Sequence, residues 1–149
     1  MSPIQTFLPY KSFAQSARVL DNKRLGKQRV ENLQIMGALL DPTKGWSNHP
    51  ATNMWRGYEP ALLMYQGAIC AEWAARGFKD TCWLKTVKLL ALNTSVYDAE
   101  QKREHMPPWL GLKAFHSGHR SNLLRKDPTH YGQFGWTDDP ANDYYWPVQ

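Results

Sequence analysis

Only two cysteines, Cys70 and Cys82, occur in the 149 residues. A disulfide-built scaffold is thereby excluded, and both cysteines fall in helix-like stretches, as expected of a reduced, cytoplasmic protein. No apolar run approaches the length that spans a bilayer, so no membrane partner is expected. Residues 1–20 lack the apolar centre of a secretory signal. Sustained alternation of apolar and polar residues is missing, which argues against half-buried strands. Internal repeats and low-complexity segments are also missing. There is no G-x-S-x-G elbow, no phosphate-binding loop and no G-x-G-x-x-G. Ordinary hydrolase, kinase and dinucleotide-enzyme readings lose their support. His116 and His119 have no third ligand at a convincing spacing, so neither a metal nor another cofactor is expected.

What remains is basic and aromatic. Eighteen Lys and Arg face thirteen Asp and Glu, giving a net charge of +5, and seven Trp and seven Tyr exceed what a core of this size needs. A basic surface favours an anionic partner such as a phosphate backbone. The length and the 42% hydrophobic content suit one domain over 1–149, large enough to fold without staples.

The apolar spacing predicts an all-α fold: a compact bundle of about four main helices with an irregular, aromatic-rich C-terminal tail. Residues 1–9, punctuated by proline, are expected to be extended. A short helix over 12–19 precedes a long one from about Asn22 to Leu40, capped by Asp21, with Leu25, Leu33, Met36 and Leu40 inward. After a loop over 41–48, a second helical region starts near Pro50. Its apolar line is Trp55, Tyr58, Leu62, Tyr65, Ile69 and Trp73, broken around Gly57 and Pro60 and closed by Gly77. A third helix over 81–92 turns Trp83, Val87 and Leu90 inward. Residues 93–108 read as a connection. The last helix, over 112–124, carries Leu112, Phe115, His119 and Leu123 on its inner line.

Two basic clusters stand out. One is Lys23, Arg24, Lys27 and Arg29 at the start of the first long helix. The other is Lys113, His116, Arg120, Arg125 and Lys126, of which the first three share a helix face. Placed on either side of a bound strand, they would grip phosphates. Solvated helix faces are the plain alternative. Asp21, Arg24, Gln28 and Glu31 follow helical spacing, and a carboxylate there could orient water or stabilise a cationic sugar. Capping by Asp21 and pairing of Glu31 with Lys27 would account for the same pattern. At the start of the chain, Ser2 is small enough for Met1 to be removed. The freed α-amine, with an ordinary pKa of about 7.7–8.0, is a usable nucleophile near neutrality.

Three stretches carry a family likeness. They are Met1-Ser2-Pro3-Ile4 leading through Leu20-Asp21-Asn22-Lys23-Arg24-Leu25, the run from His49 to Gly77-Phe78, and Leu123 through Asp127-Pro128-Thr129-His130-Tyr131-Gly132. In these the chain resembles the pyrimidine-dimer DNA glycosylases of the small phage endonuclease V type. It is also similar to a bacterial branch marked by Leu25-Gly26-Lys27-Gln28-Arg29-Val30-Glu31 and His49-Pro50. The resemblance implies a helical enzyme that bends duplex DNA and acts at a damaged or modified pyrimidine. It implies that the α-amine after Met, here Ser2, attacks the sugar C1′ and forms a Schiff base that permits β-elimination. It also implies an assisting carboxylate in the first basic helix. Here Arg24 stands where that glutamate is expected, with Asp21 one turn before it and Glu31 two turns after. Pro3 replaces a basic residue beside the nucleophile.

The expectation is thus a DNA glycosylase with AP-lyase chemistry, acting as a monomer on duplex DNA. Its catalytic candidates are Ser2, Asp21, Glu31 and Arg24, with Asp21 preferred for its closeness to the basic cluster. The DNA-binding candidates are Lys23, Lys27, Gln28, Arg29, His49, Lys113, His116, Arg120, Arg125 and Lys126. A non-catalytic nucleic-acid-binding module on the same scaffold and a protein-interaction domain with incidental charge are the alternatives.

Overall fold

A computed structural model of the chain describes residues 4–41, 43, 48–93 and 106–147. The expectations for Ser2 and Pro3, and most of those for the loops at 41–48 and 93–108, lie outside the described residues. Within them the fold is all-α, with no strand ladder.

Each helix begins where local chemistry supplies a start. Ser12 caps α1 (Phe13–Val19), and its hydroxyl accepts from the Gln15 N–H. Asp21 caps α2 (Asn22–Leu40) in the same way through Arg24. The second helical region is two helices. His49 caps the single turn α3 (Pro50–Asn53), and Gly57 at φ 84° then reverses the chain before α4 (Glu59–Ala75). The Gly57 N–H donates to the Glu59 carboxylate at 2.9 Å, which fastens that turn. α4 ends in paired bonds from Gly77 N to Ala74 O and from Phe78 N to Trp73 O, with Gly77 at φ 91°. A residue with a side chain is strained in that left-handed position. The remaining helices are α5 (Cys82–Leu92), α6 (Lys113–Lys126) and the short α7 (Pro128–Tyr131), which runs into a 3-10 turn, Gly132–Phe134.

α2 is the central element, packed on α4 and α5, while α1 lies against α4. The core gathers Leu25, Ile35 and Met36 from α2, Leu62, Tyr65 and Ile69 from α4, and Phe115 and Leu123 from α6. Trp55 stacks on Tyr65 and meets Trp109 edge-on at 5.0 Å. Three inner lines differ from expectation. In α2, Leu33 is only half-buried, and Gln28, Glu31 and Asn32 take places on the core face. α5 turns Cys82, Thr86 and Leu90 inward and leaves Trp83 and Val87 at the edge. Leu112, the residue before α6, is exposed. α2 and α5 bury polar groups where apolar residues were expected: Gln28 and Glu31 bond the first stretch of chain, and Asn32 and Thr86 bond Gln28 and Gln66 behind it.

The tail crosses back over α6 at Gly118. A Cβ there would lie 3.1 Å from Asp143 O and from Tyr145 N, so any other residue would push the tail backbone outward by a few tenths of an ångström. Trp136 stacks on Tyr131 and closes the far side.

Candidate active site

Residues 4–10 form no helix, are largely buried and have no neighbouring strand. Their backbone groups are bonded by side chains instead. Gln5 N–H donates to Glu31 Oε2 at 3.2 Å, and Gln5 O accepts from Gln28 Nε2 at 2.9 Å. Phe7 N–H donates to Gln28 Oε1 at 2.8 Å, and Phe7 O accepts from the Tyr65 hydroxyl. Leu8 N–H donates to His119 Nδ1 at 3.3 Å. His116 Nε2 accepts from Gly111 N–H, so its proton sits on Nδ1, which donates to Leu8 O at 2.7 Å. Arg120 then bonds Pro9 O at 2.8 Å, and Ser16 bonds both Tyr10 N and Tyr10 O. An unbonded buried backbone group costs about 1–3 kcal/mol, so α2, α4 and α6 together make burial of this strand possible.

Gln28 is central to that grip, because its one amide both accepts and donates along a single edge of the strand, as a neighbouring strand would. Its orientation is set from behind. Gln28 Nε2 also donates to Asn32 Oδ1 at 2.8 Å, and Asn32 Nδ2 donates to Gln66 Oε1 at 3.0 Å. Gln66 Nε2 then donates to Thr86 Oγ1, which donates to Cys82 O. This fixed direction of donation runs from the strand through α2 and α4 to α5. Flipping one amide would break its neighbours' bonds.

Glu31 is the acidic member of the same face. Burial pushes its carboxyl up to about 7, although the bond from Gln5 N–H and the charges of Lys27 and Lys126 pull the other way. Lys27 Nζ lies 3.9 Å from Glu31 Oε1. A carboxyl that titrates near neutrality is suited to proton transfer in either direction. Asp21 behaves differently. Burial would raise its carboxyl, but hydrogen bonds from the Tyr131 hydroxyl and Arg24 outweigh that and hold it below its ordinary value. It caps α2, takes the Tyr131 hydroxyl and pairs with Arg24 at 3.2 Å.

The two basic clusters meet at one place. Lys126 is held below its ordinary value by burial and by the charges of Arg24, Lys27 and Arg125, with Glu31 opposing. Lys23, Lys27, Arg125 and Lys126 are exposed. Lys113 is also exposed, but it stands at the other end of α6, about 20 Å away along the helix. Several candidates have other work. Arg29 pairs with Asp80 at 2.7 Å and lies 4.7 Å over the Trp73 ring. Arg120 pairs with Asp138 at 2.8 Å as well as holding Pro9. Gln28 and His116 are buried against the strand. His49 Nδ1 accepts from Ala51 N–H at the start of α3, and its ring meets Trp146 edge-on at 6.3 Å. Arg125 also bonds Pro140 O and Asn142 O of the tail.

Sequence reasoning missed the roles of Tyr65, Tyr131 and Gln66. The available signal was a polar residue at a core-facing position, as at Gln28, Asn32 and Gln66. Tyrosine carries no such signal, because it fits an apolar line. Among the described residues no group of three His, Cys, Asp or Glu is arranged to hold a metal. Nor is any described helix long and apolar enough to cross a membrane.

Residues 4–86 match the family model described as pyrimidine dimer DNA glycosylase. That stretch contains the held strand, Gln28, Glu31 and Gln66, while α6 and the tail lie beyond it. No curated protein and no solved structure gives a significant match.

Proposed function

This chain belongs to the pyrimidine dimer DNA glycosylase family, and on that premise we propose that it removes a damaged or modified pyrimidine through an N-terminal amine and then nicks the strand as an AP lyase. The observation that carries the reading is the held strand. Gln5, bonded to Glu31 and Gln28, stands three residues after Ser2, and the held strand runs beside a buried acid and a convergence of cations. A strand held this close in sequence to the nucleophile restricts the search for its target.

In the proposed reaction the Ser2 α-amine, freed by removal of Met1, attacks C1′ as the glycosidic bond breaks. Opening of the sugar ring at O4′ leaves an imine between the amine and C1′. A base then takes a proton from C2′, and the C3′–O3′ bond breaks with the 3′ phosphate leaving. Glu31 is the favoured acid and base for these transfers, because it titrates near 7 and touches the strand that carries the amine. Asp21 is disfavoured, since its oxygens are committed to Arg24 and Tyr131. Lys23, Arg24, Lys27, Arg125 and Lys126 are the proposed phosphate contacts, with Lys113 an outlying one. The chain is read as one domain acting as a monomer.

Borohydride reduction in the presence of a duplex carrying one abasic site tests the mechanism. A covalent adduct is expected from the protein with a free Ser2 amine and none after that amine is blocked by acetylation. An adduct that persists after blocking would overturn the nucleophile assignment. The second reading, a binding module without chemistry, rests on Arg24 occupying the expected carboxylate position. Duplex binding with no adduct under any condition would favour it.

A further inference from the structure

The held strand is gripped least where it matters most for a nucleophile at Ser2. Tyr65, His119, His116 and Arg120 bond Phe7 O, Leu8 and Pro9 O, which lie further along. At Gln5, among the described residues, the backbone has two bonds: one to Glu31 and one from Gln28. The side-chain oxygen of Gln5 adds nothing, since it is buried without a partner. Glu31 is also the proposed acid and base, so the steady hold at this point falls to Gln28.

Gln28 can serve that edge in one orientation alone. Phe7 N–H must meet its Oε1 and Gln5 O its Nε2, because a backbone N–H only donates and a carbonyl only accepts. Gln66 is fixed in the same manner at the far end. Its Nε2 meets Arg29 O and the Thr86 hydroxyl, whose own proton goes to Cys82 O. Asn32 joins the two ends, and among the described residues both bonds of its amide go to other amides. Turning Asn32 over would set its Nδ2 against Gln28 Nε2 and its Oδ1 against Gln66 Oε1. Gln28, Asn32, Gln66 and Thr86 are all fully buried, where matched apolar side chains would fold about as well. What the amides add is direction.

We propose that Asn32 and Gln66 are positioning residues: by fixing the Gln28 amide they hold residues 5–7 and so restrict the amine three residues before Gln5. This rests on the glycosylase reading above, and the test separates the two. Gln66→Met keeps the length of the side chain and removes its bonds. Gln66→Glu keeps an oxygen for Asn32 Nδ2 and, protonated through burial, donates toward Arg29 O. Thr86→Val keeps its shape and removes one bond of Gln66, a milder step in the same direction. Three quantities are compared with wild type at pH 6.5: duplex affinity, cyanoborohydride trapping of the imine at saturating abasic duplex, and hydrogen exchange of the Phe7 amide in the free protein. For Gln66→Met, affinity should stay within about twofold, while trapping slows and Phe7 exchange quickens about tenfold, the scale of one lost hydrogen bond. Thr86→Val should show a smaller change of the same kind. Gln66→Glu should recover most of the trapping rate and of the Phe7 protection. It should remain no more heat-stable than Gln66→Met, since a carboxyl that ionises only on unfolding lowers stability. A merely structural role would not part rate from melting temperature in this way. Trapping that falls in step with affinity, unchanged Phe7 exchange in both Gln66→Met and Thr86→Val, or a Gln66→Glu as slow as Gln66→Met would overturn the proposal. A wild type that traps no imine would instead overturn the glycosylase reading, and Phe7 exchange would still decide whether the amides hold the strand.

Discussion

Glu31 and Asp21 sit three helical turns apart at most, carry the same functional group and are pushed in opposite directions by their surroundings. Asp21 gains two strong donors and stays ionised, whereas Glu31 gains one backbone N–H and two lysines that do not offset its burial. The difference has a sign that can be measured. Below its ordinary value of 4.5, Glu31 is protonated in folded and unfolded chains alike. Between 4.5 and about 7 the unfolded chain releases the proton and the folded one keeps it, so stability falls as pH rises. Above about 7 that loss is complete. Glu31→Gln keeps an oxygen for Gln5 N–H and cannot ionise. Its unfolding free energy should therefore pull ahead of wild type as pH is raised from 4.5 to 8, by about 1–2 kcal/mol after allowance for screening at the lysine side. A gap that stays constant across that range would show that Glu31 titrates normally. If Glu31 is the base in β-elimination, the nicking rate should rise through the same interval in wild type and be flat in the variant.

At the scale of elements, the helices were legible because their starts and stops are local. Asp21, His49 and Gly77 mark boundaries through side chains and backbone conformations that act within a few residues. The faces were less legible where a helix meets something other than an apolar surface. Gln28, Asn32 and Gln66 look like solvent positions in a hydropathy pattern, and they are buried because each bonds the next. Likewise, Arg29 and Arg120 read as free cations until Asp80 and Asp138 arrive from distant parts of the chain. The docking of the tail on α6 is equally invisible in sequence, although it depends on one position. Gly118→Ala should strengthen α6 by about 1 kcal/mol of helix propensity while pressing the tail backbone outward by a few tenths of an ångström. Thermal stability is expected to change little. Limited proteolysis should become faster within 136–147. Unchanged cleavage of the tail would mean that it shifts without detaching. Gly26 presents a harder obstacle, since a Cβ there would lie 2.8 Å from a Trp73 ring already stacked on Phe78.

For the molecule as a whole, the net charge of +5 matters less than where it gathers. Arg24, Lys27, Arg125 and Lys126 influence one another, while Arg29 and Arg120 are neutralised internally. Affinity for duplex DNA should therefore fall steeply with salt. Lys27→Ala and Lys126→Ala should each flatten the slope of log affinity against log salt by about 0.9, and Lys113→Ala by less. Equal effects at all three positions would mean that the duplex lies along the whole of α6 instead of across its end. The held strand has one more consequence, which concerns time. Leu8 is bonded by His119, a residue 111 positions later in the chain. The grip therefore closes in two stages: Gln5 and Phe7 can bond Glu31 and Gln28 once α2 exists, whereas Leu8 must wait for α6. Docking of Leu8 is thus a late step of folding, since its contact has the longest loop to close.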